Sequence, residues 1–311
     1  MAKENLIPEV DIVIDQEAGV IREIKPEPKL RSKKAHEKRV NGAIYAILIA
    51  MSVIWLLPFI LLVLQSFRVE YGGQVAYVIP KQFGLDNFKF ILTETNFPRW
   101  YGNTLIIALF NSVLQTVIVL SVSYALSRMR FRGRKLFMKS VLVLGMFPGF
   151  LTMIALYTLL KNLGLTQEGA IPGLILIYCA SSGMGYYISK GFFDTIPKSL
   201  DESARIDGAT RFQVFLKIIM PLSKPIVIYT ILMAFMAPWG DYVFASYVAF
   251  GKSDSYNVAV GLYDWVNTND FQGYFTRFCA GGVLVAIPIT ALFLMLQKYY
   301  VEGVTGGAVK G

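Results

Sequence analysis

The sequence is short of the groups that most often carry out chemistry. Its 311 residues contain one histidine, His36, and two cysteines, Cys179 and Cys279. Both cysteines fall inside long uncharged stretches, so no disulfide framework is expected. The same scarcity leaves no material for a His/Cys metal centre, and no metal site is expected. No G-x-x-x-x-G-K-[ST] phosphate loop is present, so ATP hydrolysis by the usual route is not expected on this chain. Charge is also scarce. Asp, Glu, Lys and Arg make up 16% of the residues, against about 25% in a soluble domain.

In place of charge there are long apolar runs, and 55% of the residues are hydrophobic. Uncharged stretches cover 40–67, 100–127, 140–160, 169–189 and 278–297, and a sixth, 225–251, is interrupted only by Asp241. Each reaches the roughly 20 residues a helix needs to cross a bilayer. The pattern predicts an all-α integral membrane protein with six transmembrane helices, at about 42–66, 102–127, 137–160, 170–189, 226–248 and 278–298.

Lys and Arg set the orientation. With a cytoplasmic N-terminus, the inward segments carry 23 basic residues and the outward ones 7. Both termini are therefore expected in the cytoplasm, and the net charge of +9 reads as a topology signal, not a nucleic-acid footprint. The cluster "KLRSKKAHEKR" (29–39) reads as a juxtamembrane stop that holds the first helix in place, with specific lipid binding as the less favoured alternative. The first apolar run begins near Asn41, too late and too long for a cleaved signal. The expected domains are a disordered cytosolic tail over 1–40, a membrane domain over 41–301 with a cytoplasmic hairpin at 196–225, and a tail over 302–311.

Two predicted spans carry helix breakers. "MFPGF" places Pro148 and Gly149 in the third, and "APWGDY" places Pro238 and Gly240 in the fifth. A proline removes a backbone hydrogen bond, so these are candidates for kinks or moving elements, with packing kinks as the plainer alternative. Asp241 is the one ionisable residue inside a predicted span; it faces either a polar cavity or the outer interface.

The segment "DESARIDGATRFQVFLKIIMPLSKP" (201–225) is the least membrane-like part of the inner chain. Ser199 with Glu202 fits a capping box, and Asp201 and Glu202 suit the first turn of a helix. Gly208 suits a left-handed helix stop. Thr210 with Gln213 fits a second capping box. Phe212, Phe215, Leu216 and Ile219 then form one apolar stripe, which Pro221 ends. The result is helix, glycine corner, helix. An amphipathic pair lying on the headgroups would explain the stripe, but a knob for a groove on a partner better explains the small, acidic first helix.

"ESARIDGATRFQVFLKIIMPL" resembles the EAA signature of ATP-binding-cassette (ABC) importer permeases. Glu202, Ser203 and Ala204 stand for Glu-Ala-Ala, Gly208 for the fixed glycine, and Met220–Pro221 for the closing pair. Ser203 departs from Ala by a small-for-small change. "YALSRMRFRGRK", "MFPGF", "GFFDTIP", "YNVAVGLYDW" and "GVTGGAVKG" extend the likeness, which is to the shorter, six-helix permease of the maltose/maltodextrin branch of the carbohydrate-uptake family.

The resemblance implies a type I ABC importer permease fold in a bacterial-type cell membrane. It also implies a second, larger permease, a cytosolic ABC ATPase dimer that holds ATP and Mg, and an extracellular solute-binding protein. Glu202, Ser203, Ala204, Asp207 and Gly208 would form the ATPase-coupling knob, with Phe212 and Phe215 buried behind it and Pro221 closing it. Glu202 would meet a basic group on the ATPase, and 302–311 would lie along the ATPase pair. Ser253, Tyr256, Asn257 and Tyr263 fall in a loop that would reach the binding protein. The cargo implied is a maltodextrin-type oligosaccharide; another oligosaccharide or a glycerol phosphoester is the alternative cargo. A secondary transporter would need ion-coupling residues beyond Asp241, and a membrane enzyme would need a catalytic constellation in the spans. Neither is present.

Overall fold

The computed structural model describes residues 12–14, 21–23, 30–70, 77–267 and 271–308. Two short strands, β1 (Ile12–Ile14) and β2 (Ile21–Glu23), pair antiparallel; the other regular elements described are helical. The chain divides into two units, 1–60 and 61–311. In the first, α1 (Leu30–Ser66) starts well before the first apolar run. The basic stretch from Leu30 onward, expected in the disordered tail, is therefore the helical entry of α1. The rest of the tail lies largely outside the described residues.

The second unit contains α2 (Asp86–Thr93), α3 (Phe97–Arg128), α4 (Arg134–Gly145), α5 (Gly149–Asn162), α6 (Ala170–Ala180) and α7 (Gly183–Thr195). The hairpin follows as α8 (Lys198–Ile206), α9 (Arg211–Val214), a π-helical turn at Phe215–Ile219 and α10 (Met220–Leu222). Then come α11 (Lys224–Gly240), α12 (Val243–Ala249), α13 (Val258–Val266) and α14 (Phe271–Ala308). The backbone of α14 carries most of 302–311 on as helix; 309–311 lie outside the described residues.

By length and composition, Lys38–Ser66, Phe97–Arg128 and Tyr274–Tyr299 can each cross a membrane. Three bent pairs raise the number to six if each counts as one span. The expected third span is α4 and α5, set at 104° to one another. With 12 and 14 residues, neither reaches the roughly 20 that a crossing needs. Pro148, at the N-cap of α5, supplies no N–H and disfavours helical geometry at Phe147, so the ladder stops where a kink was expected. The expected fifth span is also interrupted. Pro238 lies inside α11 and Gly240 ends it, and Asp241 has extended geometry before α12 begins.

Three buried clusters hold the second unit. Phe97, Trp100, Trp239 and Trp265 form one. Ile107, Leu174 and Val248 belong to the second. The third, Leu120, Phe193, Val214 and Ile219, seats the hairpin against α3 and α7. Most outward faces are apolar and exposed, from Val113 and Val117 on α3 to Met295 on α14, as a lipid-facing surface requires. Lipid offers no hydrogen-bond partners, so buried polar groups depend on those inside the protein. Asn111, fully buried, donates to the Ala234 carbonyl at 2.7 Å.

Candidate functional site: the hairpin and its anchors

The first helix of the hairpin closes with a Schellman motif. Ala209 N–H donates to the Ala204 carbonyl at 2.9 Å, Gly208 N–H donates to the Arg205 carbonyl at 3.1 Å, and Gly208 has φ +85°. A Cβ at Gly208 would meet no atom within 4 Å. Its need for glycine is thus conformational, the left-handed region being costly for other residues. The second capping box also forms. Thr210 Oγ1 accepts from Gln213 N–H, and Gln213 Oε1 accepts from Thr210 N–H at 2.8 Å.

The first capping box does not form. α8 begins at Lys198 with Pro197 as its N-cap, and no side chain caps it. Pro197, at ψ 131°, already makes the extended entry, which places Ser199 inside the helix instead of at its cap. Nor does Pro221 end the second helix, which runs on to Leu222. The wide turn at Phe215–Ile219 gives the proline ring room against the preceding carbonyls, and the chain turns by 85° into α11 only after Leu222.

That wide turn also rotates the expected stripe. Val214 and Ile219 are buried, and Phe215 packs on Tyr124 with ring centroids 4.8 Å apart. Phe212, expected behind the knob, is instead 68% exposed, and Leu216 is exposed as well. Glu202, Ser203, Asp207 and Gly208 are exposed, and Ala204 is half-buried. Beside them stands Ile206, 86% exposed. Sequence reasoning missed Ile206, although an isoleucine on an otherwise polar helix before the glycine corner was the available signal.

Arg128, the last residue of α3, anchors the hairpin from behind. Its Nη2 donates to the carbonyls of Phe193 and Ile196 at 2.9 and 2.8 Å, which holds the end of α7. Its Nε lies 3.2 Å from Asp201 on α8, at an angle that makes an ion pair without a hydrogen bond. Burial pushes the Asp201 carboxyl above its ordinary value; Arg128 opposes that rise and Glu202 adds to it. Tyr124 donates to the Arg211 carbonyl at 3.2 Å, adding a tie to α9.

On the opposite face the helix break at Asp241 is bracketed by side chains. Tyr178 donates to Asp241 Oδ2 at 2.5 Å, and Phe244 N–H donates to Asp241 Oδ1 at 3.0 Å. Asn257 Nδ2 donates to the carbonyls of Pro238 and Asp241 at 3.1 and 2.7 Å, and its Oδ1 accepts from Val260 N–H. Asn257 is 1% exposed. The expectation that it meets a partner is therefore corrected: its amide is consumed in satisfying the groups that the break frees. Tyr263 is exposed and packs at a tilt against Tyr242, while Ser253 and Tyr256 are half-buried. Trp100 Nε1 donates to the Ser253 carbonyl at 2.8 Å, and Asn103 donates to the Asp254 and Tyr256 carbonyls. An exposed pair, Lys252 and Glu168 at 2.6 Å, joins this loop to the turn before α6. Their bond lowers the glutamate's pKa and raises the lysine's.

Between α3, α7 and α11 lies a cavity of about 260 Å³, lined by Gln115, Ser181, Ser182, Tyr229, Thr230 and Met233 among others. It sits at the α6–α7 break and carries hydroxyl and amide groups but no charged residue. Asp241 is not part of its wall; its carboxylate serves Tyr178 and the start of α12.

Apolar spanning helices, breaks lined by polar groups and an anchored hairpin with an exposed tip define a polytopic membrane transport component. The chain belongs to the family of binding-protein-dependent transport system inner membrane components, whose model matches residues 117–305. It is 37% identical over 283 residues to the maltodextrin transport system permease protein MalD of Streptococcus pneumoniae, covering 90% of this chain and 99% of that one. It is also 37% identical over 272 residues to the galactooligosaccharides transport system permease protein GanQ of Bacillus subtilis, covering 86% and 94% of the two chains. The fold matches a chain of a bacterial ABC transporter that imports the acidic polysaccharide alginate, with TM-score 0.73, 23% identity and coverage of 89% of this chain and 100% of that one.

Proposed function

We propose that the chain is one of two permease subunits of an ATP-driven importer and forms half of its passage. In this reading six spans, three of them broken, place both termini in the cytoplasm. α8 and the Gly208 corner insert into one subunit of an ABC ATPase dimer, which supplies ATP and Mg. A larger permease completes the passage, and an extracellular solute-binding protein delivers the cargo. Closure of the ATPase pair drives alternating access, biasing two arrangements of the bundle that already exist.

The observation that carries the reading is the shape of the hairpin: an exposed tip of Glu202, Ile206 and Gly208 on a base fixed by Arg128 and Asp201. A partner can push on such a tip and move α3 and α7 with it. The cargo is read as a neutral oligosaccharide of the maltodextrin type, as the relatives' names suggest. The uncharged cavity wall favours a neutral sugar over an acidic polysaccharide. Co-purification tests the reading. Tagged wild-type chain, purified from its native membrane, should retain an ATPase, and Ile206→Asp should lose most of it while staying in the membrane. Full retention of the ATPase by Ile206→Asp would remove the docking assignment.

A further inference from the structure

Behind the coupling tip, and sharing Glu202 with it, lies a strongly basic hollow. A cavity of about 340 Å³ opens between the end of α3, the start of α4, and α8 with α9. Six of its lining residues are basic (Arg128, Arg130, Arg134, Lys198, Arg205 and Arg211), against the acids Asp201 and Glu202. Arg128 is the deepest, its side chain 4% exposed. Its Nη2 is taken by two carbonyls, while Nη1 has no hydrogen-bond partner among the described residues. Nη1 is itself covered, so Arg128 acts on an anion in the cavity through the field of its buried charge, which is weakly screened there.

A second hollow, of about 490 Å³, shares Arg130 and Arg134 and adds Phe131, Gly133, Lys135 and Leu136. Phe131 is 48% and Leu136 70% exposed. This hollow lies at the N-terminus of α4, whose first turn carries Arg134 and Lys135 and no acid. Cations are disfavoured at the positive end of a helix. Two of them there, beside a buried arginine whose one acidic partner is Asp201, concentrate a potential that attracts anions.

We propose that the joined hollows hold one anionic phospholipid. Its phosphate lies among Arg128, Arg130, Arg134 and Arg211, and an acyl chain runs over Phe131 and Leu136. The apolar half selects a lipid over an acidic protein side chain, which has no use for it. The headgroup bridges the α3–α4 corner to α9, so the charge of the leaflet bears on the hairpin. Only that last consequence rests on the proposed function; lipid binding does not.

The test uses the full chain in nanodiscs of phosphatidylcholine with or without phosphatidylglycerol, and counts retained phosphatidylglycerol by native mass spectrometry. Each basic residue at a membrane surface contributes about fivefold in affinity. Arg130→Gln with Arg134→Gln should therefore weaken retention by roughly 25-fold. The charge-preserving Arg130→Lys with Arg134→Lys should retain it, and Arg99→Gln with Lys252→Gln, at the other end, should change nothing. Equal retention by the glutamine variant and the wild type overturns the site. Displacement of the lipid by inorganic phosphate at millimolar levels overturns the lipid as its source. Loss of ATPase co-purification in the glutamine variant with lipid retention intact assigns the hollow to the ATPase and also overturns the proposal. Failure of the Ile206→Asp experiment leaves this result standing, so the two readings fail separately.

Discussion

Arg128 holds two carbonyls of the α7 terminus and, 3.2 Å away, the carboxylate of Asp201 on the hairpin. The ends of α3 and α7 and the first turn of α8 thus meet at one guanidinium. Removing one partner of a buried pair costs about 3–5 kcal/mol, and Arg128→Leu should fall in that range as a lowered unfolding midpoint. Asp201→Asn should cost less, because Arg128 keeps both carbonyls. A cost for Asp201→Asn equal to that of Arg128→Leu would put the anchor in the ion pair, not in the carbonyls.

The same pair has a signature in pH. Burial raises Asp201 above its ordinary value despite Arg128, so the folded state binds the proton more tightly than the unfolded state. The protonated form is favoured at low pH, and that stability is lost as pH rises from the unfolded carboxylate value through the raised folded one. At neutral pH the wild type therefore bears the full cost of a buried carboxylate, which Asp201→Asn lacks. The stability of Asp201→Asn relative to wild type should be highest at neutral pH and fall as pH drops through the acid carboxylate range. Paired denaturation midpoints across that range check the sign.

Gly208→Val should leave the chain folded and in the membrane yet break coupling. At φ +85° with open space around it, valine meets a backbone penalty of about 1–2 kcal/mol but no clash. Gly208→Asn, which tolerates the left-handed region, should retain most activity. Binding-protein-stimulated ATP hydrolysis in proteoliposomes reads both, and near wild-type stimulation by the valine variant would sink the assignment.

Thr210→Ala removes one half of the capping box and should destabilise the start of α9 by about 1 kcal/mol. Hydrogen exchange of the Gln213 amide should quicken accordingly, while α3 stays protected.

Asn257→Ala removes the side-chain amide that donates to the Pro238 and Asp241 carbonyls, leaving both exposed to an apolar interior. Each buried group left unpaired costs about 1–3 kcal/mol. A fall in thermal stability of that order is expected, whether or not a binding protein is present. A defect seen only with the binding protein would restore Asn257 as a contact residue.

Legibility followed sequence distance. Gly208 and the Thr210–Gln213 box were readable because each is settled within a few residues, by a backbone preference and a reciprocal cap. Ser199 misled because the stronger local rule belonged to Pro197, which starts the helix earlier. Phe212 misled because an ideal 3.6-residue period does not hold through the wide turn that Pro221 favours. Arg128 read only as one more inward charge, since its partners are about 65 residues or more further along. Asn257 sat on a loop that looked like surface, and only packing against the Pro238 break shows otherwise.

The π-helical turn at Phe215–Ile219 leaves the hairpin with spare chain beside the 85° corner. A wide turn holds one residue that an α-helix would not need. Taking up that residue turns everything beyond it by about 100° and shifts it by about 1.5 Å along the axis. Lost or kept, that single residue sets the angle at which the tip is presented relative to α11.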